Sequence, residues 1–288
     1  MSKWIHEYND YSGIYVSANS LYHACDINGL SGILGNQYFW ATELMKLEDT
    51  NEGKIGLEKL RSYDFHMSEQ QKKLLSNKLS KENIENILKQ APSYVLCTSQ
   101  SLNAKFLFKD FHSGSIKKGA DYIIEIEIDE NEKPFYIYTM NGEKRTDCIK
   151  MGKVIYDENL QKQLFEEKIN GLWDAMKNDT DLLDEYKIEY LIKKTFFLST
   201  FFKKEIKNKV SKEEDEIRLI IHTHSSDNNI KMKLPLGNSK HIYVFYDPFV
   251  IKRIWTKDDE TKNVLMNNSK ICNFVRRNCA DVQVCENW

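Results

Sequence analysis

Proline is scarce here, four in 288 residues, and glycine numbers only twelve. That scarcity excludes long flexible linkers and repetitive β architecture, so the chain reads as one large domain over residues 1–288. No long uncharged apolar run exists either. The most apolar stretch, 188–202, carries Lys193 and Lys194 near its middle. A membrane span needs roughly 20 residues with few charges, so a buried or amphipathic helix is expected and no membrane partner. Charge of one sign is also lacking. A net charge of -2 supplies no global field for nucleic acid or anionic lipid, although a local basic patch stays open.

The six cysteines form no CxxC pair, which excludes a disulfide scaffold and points to free thiols in a reducing compartment. Residues 1–10 are polar and lack the apolar core of a signal peptide, so the expected location is cytoplasmic. The glycine fingerprints of P-loops and dinucleotide folds are missing, and so are HExxH and GxSxG.

What is present is an ordinary globular balance, 41% hydrophobic and 29% charged. The pattern predicts a strand over 20–23 and a helix over 26–34, capped by Asp26 and stopped by Gly35. An aromatic strand follows over 38–42. A helix begins near Asn51, and Ser68 with Gln71 makes a capping box for the next. Another starts near Ser80 and ends before Pro92. Strands are expected over 94–99, 122–129, 135–140 and 154–156. Two long helical patterns, 158–177 and 182–207, come next. Segments 43–90 and 158–207 are thus helical additions packed on the sheet. Strands return over 216–224 and 241–246, and the tail from Asp258 alternates helix with a last strand near Val282. The fold class is α+β.

Three pieces carry chemistry. In the strand 216–224, period two puts Glu216, Arg218, Ile220, His222 and His224 on one face, with Ile217, Leu219 and Ile221 opposite. That face is either a wet outer surface or the wall of a cleft. His23, next to Tyr22 and followed by Trp40, is placed to present an imidazole near a helix start. Asp49 and Glu52 lie at a helix N-terminus, where the macrodipole favours acids by about 0.3–1 kcal/mol and where they can also bond ligand hydroxyls. Glu125 and Glu127 share a strand face as a second carboxylate pair. Cys272, Cys279 and Cys285 lack zinc spacing and read as ordinary thiols.

Taken in order, several short motifs resemble the bacterial domain-of-unknown-function 2971 family (DUF2971). They are Leu21-Tyr22-His23, Gly29-Leu30-Ser31-Gly32-Ile33-Leu34, Phe39-Trp40-Ala41-Thr42 and the acidic Glu48-Asp49-Thr50-Asn51-Glu52. Cys97-Thr98-Ser99, Phe106-Leu107-Phe108, Lys118-Gly119 and Glu214-Asp215-Glu216-Ile217-Arg218-Leu219 continue the series. The resemblance runs from Leu21 to about Pro248. Glu48 stands where the family has Asn, and Phe108 and Ile217 stand where it has Trp.

The resemblance implies an ADP-ribosyltransferase-like split antiparallel or mixed sheet with helical insertions. It implies an NAD-dependent ADP-ribosyltransferase or NAD glycohydrolase, of the toxin or anti-phage effector kind, with NAD as substrate and no metal. Glu216 and His23 would be catalytic. His23, Tyr22, Trp40, Thr98, Ser99, Arg218, Asp49 and Glu52 would hold NAD. The acceptor would be a protein or nucleic acid, and an antitoxin or immunity partner is implied.

Two other readings rest on the residues themselves. A non-catalytic module that binds nucleic acid or protein would use Lys203, Lys204, Lys207 and Lys209. A metal-dependent hydrolase or nuclease would use Asp49, Glu52, His222 and His224.

Overall fold

The computed structural model describes residues 19–47, 54–89, 92–103, 107–108, 120–128, 134–138, 142–203, 215–222 and 241–285. Helices and a mixed sheet make up an α+β fold.

Local signals place most elements. Asp26 caps helix α1 (Ile27–Asn36) by accepting from Gly29 N at 2.7 Å. The helix runs past Gly35 and stops two residues later than the glycine suggests. Gln37 takes the left-handed conformation at φ 58° and returns its N–H to Ile33 O. Helix α2 is Lys54–Ser62, and α3 (Glu69–Lys78) opens with the Ser68–Gln71 capping box complete. Helix α4 is Lys81–Lys89.

The two long helical patterns are broken. The first divides into α5 (Glu158–Phe165), a π-helical turn Glu166–Asn170 and α6 (Gly171–Met176). In the second, α7 spans Asp184–Ser199. The chain then turns so that Phe202 bridges Ile155, and residues 204–207 of the expected helix lie outside the described residues. Helices α8 (Asp259–Met266) and α9 (Ser269–Asn278) close the chain.

The strands are β1 (Ser20–Cys25), β2 (Tyr38–Glu43), β3 (Ser93–Ser99), β4 (Tyr122–Glu127), β5 (Phe135–Tyr138), β6 (Lys144–Arg145), β7 (Ile149–Lys153), β8 (Glu216–His222), β9 (His241–Tyr246), β10 (Ile251–Thr256) and β11 (Asp281–Val284). The strand expected over 154–156 is replaced by β7, because β7 supplies the partner that the outer edge of β8 requires. Strands β6 and β10 were not marked by the sequence pattern.

Strand β3 organises the sheet. One of its edges is filled by β8 along seven paired positions, and β7 lies beyond β8. The other edge is shared. β1 joins it at Tyr22↔Ser99, and β2 joins it at Thr42↔Val95 and Glu43↔Tyr94. Two arms therefore diverge from one edge, β1–β4–β10–β11 and β2–β9–β5–β6, and α1 links them at the fork. Among the described strands every pairing is antiparallel except β10 with β11.

The pleat sorts side chains into two layers. Leu21, Phe39, Leu96, Ile124, Leu219 and Val244 lie on an apolar face under α1 and α9. On the reverse face, Val95 and Ile220 meet a second core built from α2 to α7. Its centre is Trp173, fully buried, whose indole N–H donates to Phe65 O at 2.9 Å. Helices 54–89 and 158–199 thus pack together and onto the sheet. A small third cluster, with Phe108 and Ile123, covers the reverse face of β1 and β4.

Candidate functional site at the fork of the sheet

Straight across the reverse face runs a polar row, one residue per strand. Asp281, Arg253, Glu125, Tyr22, Ser99 and Glu216 are successive cross-strand partners from β11 to β8. Direct partners share a face, so the row is a consequence of register. The sequence-predicted face of β8 is present, because Glu216 and Arg218 sit with Ile220 on this side while Ile217, Leu219 and Ile221 join the apolar core. His222 closes the strand, and His224 lies outside the described residues.

At the β8 end the row terminates in a saturated ion cluster. Glu216 is buried; Arg218 Nε donates to its Oε1 at 2.7 Å and Lys203 Nζ to its Oε2 at 2.7 Å. Arg218 is fully buried and also donates from Nη1 to Thr200 O at 2.5 Å. Burial alone would raise the Glu216 pKa, but the charges and bonds of Arg218 and Lys203 outweigh it and hold the group at about 2. Glu216 is therefore an anion with both oxygens engaged.

At the β4 end, Glu125 Oε2 accepts from Arg253 Nη1 at 3.1 Å and from Trp255 Nε1 at 2.8 Å. Glu127 instead forms an exposed pair with Lys252 at 2.7 Å. The two acids do not work as a pair, since each is bound to its own cation. Tyr22 lies between Glu125 and Ser99, and burial first, then the Glu125 charge, raises its pKa.

His23 has the other parity. It falls with Leu21 and Cys25 on the apolar side and touches Phe39 edge-on, ring centroids 5.1 Å apart. It does not share a face with Glu216, so the two residues expected to be catalytic lie on opposite sides of the sheet. The imidazole fills the fork instead: Nδ1 is 3.1 Å from Cys97 O on the shared edge of β3. A carbonyl only accepts, so Nδ1 carries the proton and Nε2 remains an acceptor. Burial lowers the ring's pKa against the opposing effect of the Cys97 bond, which keeps it neutral.

The remaining predicted residues divide. Thr98 faces the apolar side and donates to Ile217 O at 3.0 Å, away from Glu216. Ser99 stands directly opposite Glu216, but its hydroxyl donates to Ser101 O at 2.9 Å. Trp40 is 61% exposed on the reverse face of β2 and stacks on His241, centroids 5.4 Å apart. Cys97 is exposed although it sits mid-strand in β3, so the reverse face at the fork is open to solvent. Asp49 and Glu52 lie outside the described residues, which leaves the four-residue metal set without a described geometry. Among the described residues no group of three His, Cys, Asp or Glu is placed to hold a metal.

Sequence reasoning missed Arg253 and Trp255, the partners of Glu125. The alternation Arg253-x-Trp255 among Val250, Ile251 and Ile254 was the available signal. It also missed that Lys203 belongs to Glu216. No helix of the described residues is long and apolar enough to cross a membrane. Comparison with protein-family models, curated proteins and solved structures returns no match.

Proposed function

We propose that the chain is an NAD-consuming enzyme, an ADP-ribosyltransferase or NAD glycohydrolase, working at the fork between β1 and β2. The observation that carries this reading is the alignment of Tyr22, Ser99 and Glu216 across three adjacent strands on one face of the sheet. A first-strand imidazole, a middle Ser/Thr strand and a late glutamate are also what the DUF2971 resemblance implies, with an ADP-ribosyltransferase-like split sheet.

In this reading the dinucleotide lies along the open edge of β3. His23 holds the fork from the opposite side of the sheet, its tautomer fixed by Cys97 O. The exposed Trp40 ring offers a stacking surface to nicotinamide. Lys203, which is 21% exposed, leaves Glu216 Oε2 for the pyrophosphate, while the fully buried Arg218 stays and keeps the carboxylate ionised. The freed oxygen then faces the ribose carbon as the bond to nicotinamide breaks. A preorganised anion lowers the energy of the oxocarbenium-like state that forms there.

The test is nicotinamide release from NAD by the purified full chain, with wild type compared to Glu216→Gln and His23→Gln. Both variants should still give the wild-type circular dichroism, and Glu216→Gln should lose about 10²–10³ in rate. A folded Glu216→Gln with the wild-type rate sinks the assigned role. A wild-type chain that neither binds NAD in calorimetry nor releases nicotinamide sinks the reading altogether.

A further inference from the structure

The arm β2–β9–β5–β6 carries two kinds of surface. On its apolar side Phe39, Ala41, Val244 and Ile137 are buried. On its reverse side the period-two positions are aromatic: Tyr38 and Trp40 on β2, Tyr243 and Phe245 on β9, Tyr136 and Tyr138 on β5. These rings are not core. Trp40 is 61% exposed and Tyr138 41%, and the others are half-buried.

The rings form a continuous patch. Tyr38 and Tyr243 lie 4.1 Å apart by centroid, Tyr136 stacks on Phe245 at 5.8 Å, and Tyr138 meets Phe245 at 5.1 Å. Trp40 extends it toward the fork through its stack on His241. Solvated sheet faces are ordinarily polar, so this concentration of rings needs a partner to explain it.

The chemistry of the patch selects the occupant. Lys144, cross-strand from Tyr138, holds its ammonium 3.9 Å from the centre of the Tyr136 ring. Among the described residues of these strands, no carboxylate shares the face. Glu43, the one acid of β2, points to the other side with Tyr94. A saccharide would call for several carboxylates or amides to pair its hydroxyls, and the described strands of this face supply none; the carboxylate that acts on its rings, Asp247, lies just past β9 and is exposed. A row of flat rings with a lysine ammonium against one of them suits bases that stack and a backbone phosphate beside Lys144.

We propose that this face is a docking surface for single-stranded nucleic acid, DNA or RNA, bound by base stacking. The assignment does not depend on NAD chemistry. The face is contiguous with the fork through Trp40, so a bound strand would lie beside the open edge of β3.

The test is fluorescence anisotropy of labelled single-stranded DNA and RNA of about 12 nucleotides, titrated with the full chain in the absence of NAD. Single strands should bind, and the matching duplex should bind far more weakly because its bases are already stacked. Trp40→Ala and Tyr138→Ala should each weaken binding about tenfold. Both rings are exposed, so the variants should fold, and circular dichroism checks this. With one cation among the described residues of the face, the log–log salt slope should stay near about −0.7 to −1.5, shallow for a nucleic-acid binder. Absence of single-strand binding at low salt overturns the assignment and turns attention to a protein partner. Equal binding of duplex, or affinity untouched by both variants, overturns it too.

Discussion

Glu216 and Arg218 stand two residues apart on β8 and bond directly, Arg218 Nε donating to Glu216 Oε1 at 2.7 Å. Period two brings them to one face, and burial makes the contact one that neither residue can leave alone. A buried pair of this kind is weak evidence of net stabilisation against an apolar alternative, yet breaking it strands a charge. Its consequences are measurable.

Stability should fall in acid with the Glu216 carboxylate as one main contributor. The group is more acidic folded than unfolded, with a pKa of about 2 against 4.5. Its contribution is complete above about pH 4.5 and is lost as the pH falls from there towards 2. The difference corresponds to roughly 3 kcal/mol. Urea unfolding across this window should show the loss, and Glu216→Gln should flatten it. An unchanged acid limb in that variant refutes the assignment. At pH 7 the same variant should lose about 3–5 kcal/mol, because the fully buried Arg218 loses the carboxylate that it bonds.

His23 should be neutral and protonated on Nδ1 at physiological pH. Burial lowers its pKa below the ordinary 6.5, so the folded state binds the imidazole proton less well than the unfolded chain. The resulting stabilisation is full above about pH 6.5 and diminishes as the pH falls below it. Nitrogen-detected NMR of labelled histidine reads the tautomer directly. An Nε2–H ring, or an imidazolium at pH 7, contradicts the bond to Cys97 O.

Gly56 should not tolerate a methyl group. It lies on α2 where that helix crosses α7, and an added Cβ would come 2.6 Å from Ser199 Oγ and 3.0 Å from Thr195 O. Alanine favours a helix by about 1 kcal/mol over glycine, which alone would stabilise the chain. The overlap with Ser199 Oγ and Cβ, backed by Thr195 O, should win, for a net loss of about 1–3 kcal/mol in denaturant unfolding. A more stable Gly56→Ala protein would mean that α2 and α7 are not so close.

The legible parts of the fold were those governed by neighbours in sequence. Asp26 and the Ser68–Gln71 box mark helix starts because caps act within a single turn. The alternation of β4 and β8 gave the correct inward residues, since one apolar face is a local pattern. Gly35 misled because Gln37, with its own N–H bonded to Ile33 O, ends the helix in its place. Strand β7 was hidden because only its pairing with β8 makes it a strand.

The candidate site was legible by residue type and not by geometry. Tyr22, Ser99 and Glu216 come together because three registers coincide, and no register can be read from one strand. His23 and Thr98 differ from them by one residue each, which is enough to reverse the side of the sheet. Lys203 is a partner of Glu216 through the turn after α7, a contact that spacing does not announce.

The edge of β3 that serves two arms also sets an order of events during synthesis. Its opposite edge waits for β8, and the Thr98–Ile217 contact closes a separation of 119 residues. A ribosome that has released only the first two hundred residues or so has delivered β3 without that neighbour. Such a nascent chain exposes unfilled backbone groups to any other extended segment nearby. Truncation ahead of β8 should accordingly yield aggregates rather than a smaller soluble protein.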